Sequence, residues 1–209
     1  MQQYGVQRFV TGPIETNTYI VRHIDAGECC VIDPSQGCDE VIDALHGQGL
    51  TCTAVLLTHG HFDHIMGIDE VLAACGDVPV CISREDAAML QDPAHNGASL
   101  MGAGYTYTGP LSYEEPGTRS RGTLTYAVYT VPGHTRGSVA YVFDRFCFSG
   151  DCLFAGSVGR TDLPGGSTEA LHHSITKTLF ALPDQTVVCP GHGGRTSIAR
   201  EKRHNPFVQ

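Results

Sequence analysis

Four apolar runs in this chain end at a residue able to hold a metal ion, each time beside glycine. That repetition restricts the possible folds more than any other feature. Residues 53–57 form a continuous apolar run that leads straight into Thr58-His59-Gly60-His61-Phe62-Asp63-His64. The same grammar returns at Val131-Pro132-Gly133-His134, Phe148-Ser149-Gly150-Asp151 and Val188-Cys189-Pro190-Gly191-His192. Strand ends that adjoin loops are how a rigid scaffold presents a site. In extended backbone His59 and His61, two positions apart, point to one side. Asp63 and His64 follow where the chain must turn, so they approach from another direction. Imidazoles and carboxylates in this mixture suit zinc, iron or manganese. Five histidines and two aspartates are then available, enough for two metals with Asp151 able to bridge them.

Composition narrows the remaining options. Hydrophobic residues make up 41% of the 209, enough for a core, so a disordered chain is excluded. A net charge of −9 with no basic run disfavours a nucleic-acid partner. No apolar stretch approaches the roughly 20 residues of a membrane helix, and the polar start is unlike a signal peptide. The nine cysteines are odd in number and contain no C-x-x-C pair. Cys29, Cys30, Cys52, Cys81, Cys147 and Cys189 lie in apolar runs, where a free thiol packs as a small hydrophobe. Free thiols without a secretory signal point to a reducing cytoplasm.

Short strands are expected at 8–10, 17–22, 29–33, 53–57, 78–82, 123–131, 139–143, 146–148 and 186–189. Helical spacing covers 39–45, 68–74 and 168–181, and Ser83 with Asp86 reads as a capping box for a helix to residue 90. Glycine-rich loops span 91–109 and 155–166, the first a candidate cover over a site. Nothing marks a domain boundary, so residues 1–209 are expected to form one unit. Its halved order, β-rich then helical twice over, suggests two similar β-and-α units facing each other.

The succession HxHxDH, PGHT, SGD and PGHG resembles the metallo-β-lactamase superfamily along essentially the whole chain. Three further stretches are similar to the short, glyoxalase II-like (hydroxyacylglutathione hydrolase-like) hydrolases of bacteria. They are Gly12-Pro13-Ile14-Glu15-Thr16-Asn17-Thr18-Tyr19, Gly159-Arg160-Thr161-Asp162 and Arg200-Glu201-Lys202-Arg203-His204-Asn205-Pro206-Phe207. The resemblance implies an α+β fold, a four-layer αββα sandwich with metals at one edge of the sheets. It implies a first metal on His59, His61 and His134, a second on Asp63, His64 and His192, and Asp151 shared. Two divalent ions are expected, zinc foremost, with iron or manganese as alternatives.

The implied activity is metal-dependent hydrolysis of thioesters or related acyl compounds by a metal-bridging hydroxide that Asp63 orients. A thiolate leaving group needs no separate strong acid. The expected partner is a small anionic thioester, and Arg160 is the candidate clamp for its carboxylate. Two departures argue against glutathione. The helical extension of full-length glyoxalase II is missing, and Thr161-Asp162 replace an aromatic pair of its substrate loop. Two other functions remain open: a mono-iron, persulfide dioxygenase-like oxygenase using His59, His134 and Asp151, and a non-catalytic module. Oligomeric state is left open. Cys152 and the histidines at 23, 46, 95, 172, 173 and 204 are read as packing or surface residues. Tyr105 and Tyr107 are weighed as pocket-lining residues.

Overall fold

The computed structural model describes residues 3–102 and 104–209. The first two residues of the polar start, and residue 103 of the expected 91–109 loop, lie outside them.

Two six-stranded sheets stack face to face. The first runs in the order β1 (Tyr4–Thr11), β2 (Thr16–His23), β3 (Glu28–Ile32), β4 (Thr51–Leu56), β5 (Val80–Ile82), β6 (Leu111–Tyr113). Its first three strands are antiparallel, and β3 to β6 pair in parallel. Parallel neighbours need crossovers, and α1 (Asp39–Gly47) and α2 (Ile68–Cys75) supply two of them. The second sheet contains β7 (Gly117–Arg121), β8 (Leu124–Thr130), β9 (Val139–Phe143), β10 (Phe146–Gly150), β13 (Val187–Pro190) and β14 (Thr196–Ser197). A small hairpin of β11 (Leu153–Phe154) and β12 (Ser157–Val158) stands apart. Helices α3 (Thr168–His173) and α4 (Ile198–His204) belong to this half.

Three apolar layers separate the four structural layers. Tyr19, Val21 and Ile32 of the first sheet meet Tyr126, Tyr141 and Phe148 of the second. Val41, Leu45, Ile68 and Val71 of the first helices cover the outer face of one sheet. Leu171, Ile175 and Ile198 cover the other. This is the expected αββα sandwich, and each such buried side chain contributes roughly 1.5–3 kcal/mol. Among the described residues, no helix is long and apolar enough to cross a membrane. All nine cysteines are free, and eight are buried.

Two expectations need correction, and some strands were not expected. The helix over 168–181 is broken: α3 passes into a π-helical turn at Ser174–Thr178 and a 3₁₀ turn at Leu179–Ala181. The helix after Ser83 is only a 3₁₀ turn, Ala87–Gln91. Ser83 Oγ does accept the Asp86 N–H, but the Asp86 carboxylate is used across the fold instead of capping. Short strands β6, β7 and β14 carry too little apolar alternation to be read from sequence.

Candidate metal centre

At one edge of the sandwich the two halves are stitched by long-range hydrogen bonds. Asn17 donates its backbone N–H to the Gly191 carbonyl and its side-chain amide to the Pro190 carbonyl. The Val139 N–H donates to the Thr58 carbonyl, and Tyr141 donates to the Leu57 carbonyl. These bonds tie β2 to the end of β13 and the end of β4 to β9, and the structure brings all seven expected ligands together at this edge. His59 and His61 leave β4 in extended backbone, and a 3₁₀ turn at Phe62–His64 redirects Asp63 and His64. His134 follows β8, Asp151 follows β10, and His192 follows β13, the parallel neighbour of β10.

The side chains converge in overlapping groups. His59, His61 and His134 place one ligand atom each within 4.8 Å of one another, as do Asp63, His64 and His192, and His59, His64 and Asp151. His61 Nδ1 and His134 Nε2 are 2.8 Å apart. Asp63 Oδ2 lies 3.1 Å from His64 Nε2 and 3.3 Å from His192 Nε2. Asp151 spans the groups: Oδ1 is 3.4 Å from His64 Nε2, and Oδ2 is 3.6 Å from His134 Nε2 and 3.5 Å from His192 Nε2. His59 Nε2, His64 Nε2 and Asp151 Oδ1 are buried without a hydrogen-bond partner. Orphaned buried ligand atoms are what a cation would satisfy, and the overlapping His/Asp groups fit two metals.

Outer partners set which ring nitrogen faces inward. His64 Nδ1 donates to Asp33 Oδ2 at 2.9 Å, leaving Nε2 free for the centre. Thr58 Oγ1 donates to the same Asp33 oxygen at 2.7 Å and accepts from His59 Nδ1 at 3.0 Å. His134 Nδ1 donates to the Arg160 carbonyl, and His192 Nδ1 to the Glu15 carbonyl. Thr16 Oγ1 donates to Asp63 Oδ2 at 2.8 Å. Asp86, 1% exposed, accepts from Gly60 N, Gly137 N and Thr135 Oγ1, tying the His59–His61 turn to the His134 turn.

Asp33, Thr58 and Asp86 were not singled out from sequence. Asp33 also ends an apolar strand, at Val31-Ile32-Asp33, but without the glycine of the recognised sites, so only part of that signal was present. Asp86 gave no signal beyond its resemblance to a cap.

Protonation divides the centre into two poles. Burial, reinforced by the neighbouring imidazoles, holds His59 well below its ordinary pKa and pushes His61 down to about 3. Both are therefore neutral, with lone pairs available. For Asp63 and Asp151 burial opposes ionisation, but the surrounding imidazoles, His64 foremost, together outweigh it and hold both below the usual carboxylate range. Burial likewise opposes charge on His64, yet Asp63, Asp33 and Asp151 together raise it well above the ordinary value.

A cavity of about 540 Å³ opens over the centre, lined by His61, Asp63, His134, Asp151 and His192 at its floor. Arg160 lines it too, but its guanidinium makes a two-bond fork to Asp162 at 2.7 and 2.8 Å. A substrate carboxylate takes that two-bond face of Arg160, Nε and Nη2, only by displacing Asp162. Tyr105 and Tyr107 do not line this cavity: Tyr107 packs in the first helix layer, and Tyr105 donates to Asp69. Cys152 is buried, and burial pushes its thiol far up, away from nucleophilic use.

The comparisons agree with this geometry. The probable metallo-hydrolase YqgX of Bacillus subtilis (strain 168) is 37% identical, with 97% of this chain and 96% of that protein covered. Hydroxyacylglutathione hydrolase GloC of Haemophilus influenzae is 30% identical, covering 88% and 89%. Among solved structures, the B3 metallo-β-lactamase BLEG-1 superposes with a TM-score of 0.93 at 38% identity, covering 98% and 100%. TTHA1623 in a di-iron-bound form gives 0.86 at 35%, covering 96% and 99%. ETHE1 from Myxococcus xanthus gives 0.79 at 30%, covering 98% and 84%. A family model of the metallo-β-lactamase superfamily matches residues 11–192, a span that holds all seven converging side chains. With sandwich, sheet-edge site and relatives in agreement, this chain belongs to the metallo-β-lactamase superfamily.

Proposed function

We propose that this protein is a binuclear metal-dependent hydrolase of small acyl compounds, thioesters foremost. One observation carries the reading: the Asp151 carboxylate reaches both ligand groups at once, with Oδ2 3.6 Å from His134 Nε2 and 3.5 Å from His192 Nε2, and Oδ1 3.4 Å from His64 Nε2. A pair of divalent cations bound there, zinc being the first expectation and iron or manganese the alternatives, supplies an activated water and a Lewis acid for a carbonyl oxygen.

The protein's own residues do the rest. His59, His61 and His134 would hold one ion and Asp63, His64 and His192 the other, with Asp151 between them. Asp63, fixed by Thr16, is placed to orient the nucleophile as well as to ligate. Asp33 and the carbonyls of Arg160 and Glu15 keep the imidazole lone pairs pointing inward.

The leaving group distinguishes thioesters from amides. A thiol with a pKa near 8.5 departs as thiolate with little help. A departing nitrogen, such as that of a β-lactam, needs a proton donor. Beyond the seven ligands, the polar side chains lining the cavity are Asn96 and Arg160. Neither is an efficient acid near neutral pH, which favours the thioester.

Metal analysis of protein purified anaerobically without added metal, paired with thioester hydrolysis, tests the reading. About two metals per chain, with activity abolished by chelation and a lowered melting temperature, is the expected result. One iron per chain with oxygen uptake on a persulfide would replace it with the oxygenase on His59, His134 and Asp151. Asp151→Ala should deplete both positions, whereas His192→Ala should empty mainly the second.

A further inference from the structure

The mouth of the metal cavity is lined by apolar side chains in contact with solvent. Ile14 is 39% exposed, Met101 54% and Leu100 73%, three of the seven most exposed large apolar residues among those described. All three line the same cavity, together with Phe62, Phe154 and Val158. Scattered exposed apolar residues are ordinary, but a contiguous patch over a reactive centre marks a binding surface.

This patch is held in place. The 3₁₀ turn Ala98–Met101 is bracketed by Gly97 and Gly102 at φ of +83° and +68°, a conformation that glycine adopts without strain. Asn96, fully buried, fixes the turn from below. Its carbonyl accepts the Phe62 N–H, its Oδ1 accepts the Ala98 N–H, and its amide donates to the Tyr105 carbonyl. Leu100 and Met101 are thus held at the mouth by the same segment that carries Asp63. Among the described residues lining the cavity Arg160 is the one Lys or Arg, and Asp162 already holds its Nε and Nη2, so the walls are poorly suited to a highly charged thiol such as glutathione.

We infer that Ile14, Leu100, Met101 and Phe154 form a binding site for an apolar acyl chain on the carbonyl carbon that is attacked. This inference rests on the hydrolase reading above and specifies its substrate class. A cavity of about 540 Å³ falls within the usual range for ligand pockets, roughly 300–1,000 Å³.

The test uses the metal-loaded full-length protein and N-acetylcysteamine thioesters of acetyl, butyryl, hexanoyl and octanoyl groups. kcat/KM should rise roughly two- to fourfold per added methylene. The double variant Leu100→Gln, Met101→Gln, changed only at exposed positions, should reduce the octanoyl-to-acetyl ratio at least about tenfold. Metal content is measured alongside. Calorimetric binding of S-alkyl N-acetylcysteamine thioethers of the same lengths, which cannot be hydrolysed, separates the two readings. Length-dependent binding without turnover of any thioester would sink the hydrolase reading and leave the acyl site standing. Equal kcat/KM across the series, or a ratio unchanged in the variant, would overturn the acyl site. So would length dependence seen only when the chain is carried on the thiol half.

Discussion

The two halves of the sandwich hold their share of the centre by different means. In the first half, side chains hold side chains. Thr58 and Asp33 orient His59 and His64, and Thr16 fixes Asp63. In the second half, the candidate ligands are steered by backbone. His134 and His192 donate to main-chain carbonyls, and Asp151 sits against glycines at 159 and 191. The reason lies in how the ligands are distributed. Four of them share one turn of six residues in the first half, so one carboxylate can serve two. The other three arrive singly from three strand ends, where only close backbone approach can position them. The halves should therefore fail differently under substitution.

The largest effect is expected from glycine in the second half. A Cβ at Gly191 would run into Asp151 Oδ1 and come within 2.7 Å of His64 Cε1, and one at Gly159 would run into the Asp151 carbonyl. Gly191→Ala should displace the shared carboxylate and lower hydrolysis at least about 100-fold. Metal analysis should show less than full occupancy of both positions. Full occupancy with undiminished turnover would mean that backbone approach is not what positions Asp151.

Asp33→Asn is the matching break in the first half. Asp33 has φ of +50°, which asparagine tolerates, so the change removes charge and one acceptor without forcing the backbone. Metal affinity should fall about 10–100-fold, measured by competition with a chromophoric chelator. An unchanged affinity would show that Thr58 and packing alone orient His64.

A smaller effect is expected at Asp86, which joins the halves. Asp86→Asn places an amide against one of the three donors and should cost about 1–3 kcal/mol. That corresponds to a fall in melting temperature of roughly 2–12 °C for a chain of this size. Burial raises the Asp86 pKa in the folded state. The native carboxyl therefore binds its proton more tightly than the unfolded one. The stability it contributes is fully present below the ordinary carboxylate pKa and is lost as pH rises through the raised value. The deficit of the Asn variant should therefore be largest in acid and narrow toward neutrality. A gap constant with pH would contradict the assigned shift.

The smallest change concerns the exposed Arg160–Asp162 fork. Asp162→Ala should release the guanidinium and lower KM for carboxylate-bearing thioesters up to about fivefold, with kcat nearly constant. Arg160→Ala should do the reverse. If neither moves KM, the fork is only a surface pair and the clamp expected from sequence has no role.

The seven converging residues were readable because the signal is local. An apolar strand, a glycine and a metal-capable side chain lie within a few positions of one another, and strand geometry fixes which side His59 and His61 face. The cores were readable for the same reason: Val41 and Leu45 in α1, and Ile175 in the segment after α3, follow helical spacing. The supporting residues were harder. Asp33 is 31 positions from His64, and Asp86 is 49 from Thr135, so nothing near either aspartate in sequence announces its partner. Asp86 even carries a competing local signal, since Ser83 does bond to its N–H. The broken helix after residue 173 follows the same logic, because apolar spacing at 171, 175, 179 and 182 does not distinguish α-helical from π-helical turns.

Sequence alone thus determined which residues end the strands, which chemistry they carry, and that two similar β-and-α units face each other; the αββα layering came from the family resemblance. Period-two and period-3.6 patterns are properties of the local backbone and need no knowledge of what lies opposite. Tertiary structure decided that Asp151 reaches both ligand groups, which carboxylate orients which imidazole, and that Arg160 already has Asp162. It also decided that Ile14, Leu100 and Phe154, far apart in the chain, border one cavity. Those are distances between residues on different strands and loops, and they exist only once the two sheets have stacked in register.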